Sequence, residues 1–283
     1  MRRGEMEWVS RLQRALEEGR FVLHSQQIMS IGGQFPQTSH HELLVRMLDE
    51  HGKIIPPMAF IPAAERYSIM PLIDQWVVHN AFAAISALGP DCGTFAINIS
   101  GASNGDERIL EFVREQFRTF VMPPRSICFE ITETAAIANI DKAARFFGEM
   151  KSLGCLFSLD DFGAGMSSFG YLKHLPVDFI KIDGSFVRDV ARDPVAVAMV
   201  RAINDVGHVM GKKTIGEFVD GELVLGVLRE IGVDFAQGNW ISPPTPFPTR
   251  SIGTALPGRT RTESAQFQQA LTGVPETVLN STT

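Results

Sequence analysis

The feature that most constrains this chain is the regular alternation of short β-type runs with longer helical stretches. Eight runs rich in β-branched and aromatic residues fall at Arg20–Ile28, His40–Leu48, Thr94–Ser100, Ser126–Thr132, Cys155–Asp161, Asp178–Asp183, Lys213–Phe218 and Asp234–Gln237. Helical patterning fills the gaps at Pro57–Leu88, divisible near Pro71, and at Asp106–Phe120, Asn139–Leu153, Pro194–Gly211 and Gly221–Ile231. Repeated strand–helix alternation predicts an α/β protein whose parallel sheet is covered by helices. Eight strands in roughly 220 residues match a closed (β/α)8 TIM-like barrel, and the alternation leaves an open doubly wound sheet as the alternative.

Ahead of the first run, Trp8, Val9, Leu12, Ala15 and Leu16 recur at helical spacing and Gly19 supplies a stop. This predicts an N-terminal connector helix over residues 1–19, followed by a barrel over residues 20–248. Residues 249–283 are rich in Ser, Thr, Gly and Gln and read as a tail, which Phe267, Leu271 and Val274 can dock through one apolar stripe. The chain carries a formal charge of -6 and a pI near 5.7. It therefore lacks the clustered Lys and Arg that draw a protein to DNA, RNA or an anionic membrane, and an anionic substrate must be neutralised locally. Cys92, Cys128 and Cys155 are odd in number and have no C-x-x-C spacing, so they are expected to be reduced and packed. No apolar run approaches the roughly 20 residues that span a bilayer. The opening Met1-Arg2-Arg3 leads into acidic residues, without an apolar signal segment, so a soluble, cytoplasmic protein with no membrane contact is expected.

Most of the predicted strands carry a polar or charged residue at or near the C-terminal end of an apolar run. These are Glu42, Asn98, Glu130, Asp160 with Asp161, Lys181, Glu217 and Gln237. In a (β/α)8 barrel such ends converge on the face that carries the chemistry. A single carboxylate at a strand end is commonly a helix cap or loop anchor. Five gathered in one mouth would repel each other unless cations balance them. The donors are all oxygens, with Asn98 adding an amide oxygen, and hard oxygen ligands select Mg2+ or Mn2+ over zinc. The adjacent Asp160-Asp161 pair suits two ions about 3.5–4 Å apart, as in two-metal phosphoryl hydrolysis. His40 and His41 flank Glu42 but have no second histidine at a supporting strand end. Arg46, four residues beyond Glu42, faces the same side by period-two alternation. It can grip a phosphate with its planar fork or ion-pair with Glu42 to orient it.

These residues also carry a resemblance. Glu42-Leu43-Leu44-Val45-Arg46 is similar to the E-A-L-x-R signature of EAL domains. It is followed in order by Pro57 to Glu65 (P-x-x-F-I-P-x-A-E), Asn98 to Ser100 (N-I-S), Glu130 to Glu133 (E-I-T-E), Asp160 to Ser168 (D-D-F-G-x-G-x-S-S), Lys181 to Val187, Glu217 and Gln237-Gly238. The chain thus resembles the EAL-domain cyclic di-GMP phosphodiesterases from about Phe21 to Pro246. The resemblance implies a barrel whose first strand is antiparallel to the rest, and metal-dependent hydrolysis of cyclic di-GMP to linear pGpG. It implies that Glu42, Asn98, Glu130 and Asp160 hold one ion, and that Asp160, Asp161 and Glu217 serve the second. It implies further that Lys181 contacts the nucleophilic water, that Gln26, Arg46 and Gln237 position substrate or water, and that Glu133 anchors the loop Asp161 to Phe169, which couples the site to a homodimer. Leu43, Gln27, Met166, Asp220 and Asn239 depart from the family pattern without removing an expected ligand. A catalytically silent cyclic di-GMP-binding domain is the alternative reading, which the complete ligand set disfavours.

Overall fold

In the computed structural model, residues 2–32, 39–164 and 169–248 are described. The expected tail from 249 and the loop positions 165–168 lie outside them. The chain opens with helix α1 (Arg2–Glu17) and the antiparallel pair β1 (Phe21–Ser30) and β2 (His40–Leu48), followed by the short β3 (Ile54–Ile55). Then come α2 (Pro57–Arg66), α3 (Met70–Ser86), β4 (Thr94–Asn98), α4 (Glu107–Thr119), β5 (Ile127–Thr132), α5 (Glu133–Ile137), α6 (Ile140–Ser152), β6 (Leu156–Phe162) and β7 (Phe179–Ile182). The order closes with α7 (Gly184–Val187), α8 (Pro194–Val209), β8 (Lys213–Gly216), α9 (Glu222–Ile231), β9 (Phe235–Gln237) and β10 (Thr245–Pro246).

Local chemistry accounts for the helix boundaries. Asp106, Asn139 and Asp193 accept hydrogen bonds from backbone N–H groups at the first turns of α4, α6 and α8, satisfying donors that have no partner inside the helix. Gly232, at φ 90°, ends α9 in the left-handed conformation that glycine adopts without a Cβ penalty. The helical stretch from Pro57 does divide ahead of Pro71: α2 ends at Arg66, Ser68 turns through φ 55°, and α3 restarts with the proline in its first turn.

Eight strands close a ring in the order β1-β9-β8-β7-β6-β5-β4-β2 and back to β1. Only β1 runs against its ring neighbours, pairing antiparallel with both β2 and β9, while the other ring pairs are parallel. β3 and β10 are two-residue additions outside the ring. Outward-facing Ile97, Phe129, Leu159 and Ile180 are buried beneath the helices with Phe82, Phe147 and Val200. Leu12 and Ala15 of α1 are fully buried in this same core. Inside the barrel, Ile28, Ile215, Phe235 and Phe179 form an apolar floor. The His40 ring packs 5.2 Å from Phe179 and 5.8 Å from Phe235, and burial pushes its pKa down to about 4. His41 stacks on Phe95 and bonds Ser39, so neither histidine joins the polar layer above the floor.

One expectation needs correction. Glu42 is not near the C-terminal end of its strand; it is the third residue of β2. The barrel-forming part of β2 ends early, because its parallel pairing with β4 covers only His40 to Leu43. The remainder, through Leu48, continues past the mouth as a ribbon with β1 and β3. Glu42 therefore still sits at the mouth, at the level where the ring stops.

Candidate active site

A buried lysine organises the mouth. Lys181, on β7, is 1% exposed, and its Nζ lies 3.2 Å from Glu42, 3.0 Å from Glu130, 3.0 Å from Asp160 and 3.0 Å from Glu217. Carboxylates from β2, β5 and β6, and from the residue just past β8, thus converge on one ammonium. Glu42 is fixed further by Asn98 Nδ2, which donates to its Oε1 at 2.7 Å, and by Gln237 Nε2, which donates to Oε2 at 2.7 Å. Gln237 also donates to Gln26 Oε1 at 3.1 Å, and Gln26 donates to the Ser242 carbonyl at 3.0 Å. The antiparallel β1 makes this possible, since its register sets Gln26 opposite Glu42 and Ile28 opposite Gln237.

The Asp160-Asp161 pair depends on a local irregularity. In a regular strand neighbouring side chains point to opposite faces, and Asp161 would leave the mouth. The β6–β7 register instead shifts between Leu159 and Phe162, and Asp161 adopts φ 53°. Such a bulge re-aims a side chain at the rim of a barrel. Asp160, Asp161 and Glu217 then each offer an oxygen within 4.8 Å of one another.

The electrostatics are those of excess negative charge in a dry site. Burial works to raise the Glu42 pKa, but the Lys181 ammonium and the hydrogen bonds from Gln237 and Asn98 outweigh it and leave Glu42 below the ordinary carboxylate value. Glu130, buried and facing Glu42 and Asp160, is pushed well above it. Burial lifts Glu217 to about 8 against the pull of Lys181. Burial and the neighbouring Asp160 lift Asp161 to about 6. For Lys181, burial alone would favour the neutral amine, yet the four carboxylates hold it charged, with its pKa well above the usual value. Glu130 Oε1, Glu217 Oε2 and Gln237 Oε1 are buried without a hydrogen-bond partner. Buried oxygens of this kind are costly unless something positive meets them. An all-oxygen set with unmet lone pairs fits a hard divalent cation.

Two expected residues lie apart from this cluster. Arg46 is on the β2 ribbon beyond the mouth, partly buried, with its Nη1 donating to the Val45 carbonyl at 2.9 Å. Among the described residues no ion pair within 4 Å joins it to Glu42, although its charge still interacts with the Glu42 carboxylate. Glu133 stands behind the site and is 3% exposed; it accepts from Gly163 N at 3.0 Å and from the Tyr171 hydroxyl, tying both flanks of the loop together. Sequence reasoning missed Asp74, buried on α3, which accepts from Ser100 Oγ at 2.6 Å and Ser100 N at 3.2 Å and so fixes the backbone just past Asn98. Its signal was an acid on the apolar face of a helix, between Ile73 and Val77.

A closed (β/α)8 barrel with one reversed strand and a carboxylate–lysine cluster at its mouth defines the class: a barrel whose mouth gathers negative charge and oxygen donors suited to a hard divalent cation. Comparison with known proteins narrows it. The EAL domain family model matches residues 9–244, and the chain belongs to the EAL domain family. It is 40% identical over 247 residues to cyclic di-GMP phosphodiesterase PdeB of Shewanella oneidensis, covering 86% of this chain and 29% of that protein. It is 31% identical over 240 residues to cyclic di-GMP phosphodiesterase PdeF of Escherichia coli, covering 84% and 32%. The chain therefore spans about a third or less of the length of these relatives. Among solved structures, the FimX EAL domain from Pseudomonas aeruginosa bound to c-di-GMP superposes with a TM-score of 0.79 at 28% identity, over 88% of this chain and 97% of that one. The PaMucR phosphodiesterase in complex with c-di-GMP gives 0.79 at 28% identity, over 85% and 98%.

Proposed function

We propose that this chain is a metal-dependent phosphodiesterase that hydrolyses cyclic di-GMP to linear pGpG. The observation that carries the reading is the cluster itself: four carboxylates around Lys181, with Asp161 and Asn98 beside them and unpartnered buried oxygens, in a chain similar to cyclic di-GMP phosphodiesterases. Glu42, Asn98, Glu130 and Asp160 are the residues to hold one Mg2+ or Mn2+, and Asp160, Asp161 and Glu217 the second. Bound there, such ions supply Lewis acidity, lowering the pKa of water and offsetting charge on the attacking and leaving oxygens.

The chain's own groups do the rest. Lys181 holds the carboxylates in one constellation and presents a fixed positive charge where negative charge grows on the phosphoryl oxygens. Asn98 and Gln237 keep Glu42 ionised and oriented. Gln26 and Gln237 offer amides to substrate or water, and the apolar floor of Ile28, Ile215 and Phe235 excludes solvent from below. Arg46, above the mouth, meets a phosphate at a distance from the reacting centre. Glu133 anchors the loop after β6 through Gly163.

The same reading makes the protein a homodimer acting in the cytoplasm. Free thiols at Cys92, Cys128 and Cys155 accord with a reducing compartment, and no helix among the described residues is long and apolar enough to cross a membrane. Val195, Met199 and Val209 lie exposed along one stripe of α8, which suits self-association. Incubation with cyclic di-GMP and Mg2+, followed by chromatography, tests the activity. pGpG should form, excess EDTA should stop it, and Ca2+ should inhibit, because its longer, looser coordination activates water less well. Tight binding of intact cyclic di-GMP with no turnover in either metal would identify the silent receptor instead.

A further inference from the structure

Asp74 is a buried carboxylate that the proposed reaction does not use. It lies on α3 between Ile73 and Val77, and among the described residues no Lys or Arg stands against it. Burial pushes its pKa up to about 6 against the hydrogen bonds from Ser100. A leucine of similar shape would suit that apolar face better, since an uncompensated buried carboxylate is costly. What Asp74 secures is the end of β4. The β4–β5 ladder stops where Asn98 lies opposite Glu130, and Ile99 N donates to the Glu130 carbonyl at 2.8 Å as its last rung. The next donor, Ser100 N, leaves the sheet and meets Asp74 Oδ2 at 3.2 Å, while Ser100 Oγ donates to the same oxygen at 2.6 Å. Ser100 then opens a turn: its carbonyl accepts from Ser103 N at 3.0 Å and Asn104 N at 3.1 Å, and its Oγ accepts from Ser103 N at 3.3 Å. Asn104 closes that turn onto α5, its Nδ2 donating to the Ala135 carbonyl at 3.3 Å.

We propose that Asp74 is a positioning residue for metal binding: from the outer helical layer it fixes the turn at Ser100 and so holds Asn98 where its side-chain oxygen can meet a divalent ion. The inference rests on the function proposed above and names a residue outside the cluster that sets its ion affinity. Asn98 gives its Nδ2 to Glu42 Oε1 at 2.7 Å, which leaves Oδ1 as the ligand atom. Asn98 is exposed at the rim, so packing does not fix its direction. The backbone on either side does, held by β5 before it and by Asp74 after it. Groups that stand behind metal ligands in this way orient them and tune the site. Through Asn104 the same turn braces α5, whose first residue is Glu133, so Asn98 and the anchor of the loop after β6 share one support.

The test is calorimetric titration of the full chain with Mn2+ alone, without substrate, and thermal melts in EDTA to follow folding. Asp74→Leu keeps the shape of the side chain, removes both acceptor oxygens, and should weaken Mn2+ by about ten- to a hundredfold. Asp74→Asn retains a carbonyl acceptor for Ser100 and should bind Mn2+ within about twofold of wild type. Ser100→Ala removes the shorter of the two bonds and should weaken Mn2+ about tenfold; it decides the question if Asp74→Leu does not fold. The double variant should lose no more than Asp74→Leu alone, because both changes break one contact. An Asp74 that serves packing only would lower the melt in EDTA and leave Mn2+ affinity unmoved. Asp74→Leu and Ser100→Ala that both bind Mn2+ within about twofold of wild type would overturn the positioning role and leave the proposed function standing. Wild-type protein that binds no Mn2+ would overturn the function, and the inference with it.

Discussion

Replacing Lys181 by Met keeps the length of the side chain and removes the ammonium that, among the described residues, pairs with Glu42, Glu130, Asp160 and Glu217. Truncating one partner of a buried ion cluster leaves uncompensated charge, at a cost of about 3–5 kcal/mol. For a domain of this size roughly 2–4 °C accompany each kcal/mol, so a fall in Tm of about 6–20 °C is expected in EDTA. The loss should be largest near pH 8 and shrink toward pH 6, because Glu130 and Glu217, whose pKa values burial already raises, relieve the repulsion by taking up protons. Mg2+ should recover part of it, since an ion that binds only the folded state at about 100 times its dissociation constant contributes about 2.7 kcal/mol. Thermal melts of both proteins, with EDTA and with Mg2+, at three pH values provide the assay. A variant melting within about 2 °C of wild type in EDTA at pH 8 would show that Lys181 does not hold the cluster together.

Other consequences are as direct. Metal-free wild-type protein should lose stability as pH rises from about 5 to 8: Glu217 keeps its proton up to about 8 when folded but only to about 4.5 when unfolded, and Asp161 adds the same sign up to about 6. Urea melts in EDTA whose midpoints rise across this range would contradict the raised values. Glu133→Ala removes the carboxylate that Gly163 N–H and the Tyr171 hydroxyl bond, costs about 1–3 kcal/mol, and should lower turnover through loss of loop order; unchanged turnover together with unchanged protection of the Gly163 amide from exchange would remove the anchoring role. Lys181→Ala should abolish turnover at saturating substrate while Arg46→Ala mainly raises KM, because only the first acts where charge develops. Equal losses of kcat for the two would mean that the site has been divided wrongly.

How far the sequence led can be read from individual residues. The eight ring strands lie within two residues of the runs that β-branched patterning marked, because strands buried on both faces leave nearly continuous apolar signals. Reversal of β1 was not derivable from periodicity, which is blind to strand direction, and came only with the family resemblance. Glu42 was found as a polar residue in an apolar strand, yet its position along that strand was misread, since only pairing shows where β2 leaves the barrel. Asp160 and Asp161 were selected as a pair, although strict alternation would have separated them. The bulge that unites them depends on a backbone conformation that composition does not announce. Asp74 was passed over because it resembles ordinary helix chemistry until the fold sets Ser100 beside it. The short α5 and α7 are too brief to show a helical period.

Mass spectrometry of the product formed from cyclic di-GMP and Mg2+ in 18O-labelled water tests the central claim most directly. Attack of water on one phosphorus with departure of the ribose 3'-oxygen predicts pGpG carrying a single 18O, on its terminal 5'-phosphate. Unlabelled product, label at the 3' end, or an intact cyclic dinucleotide after prolonged incubation would contradict the account.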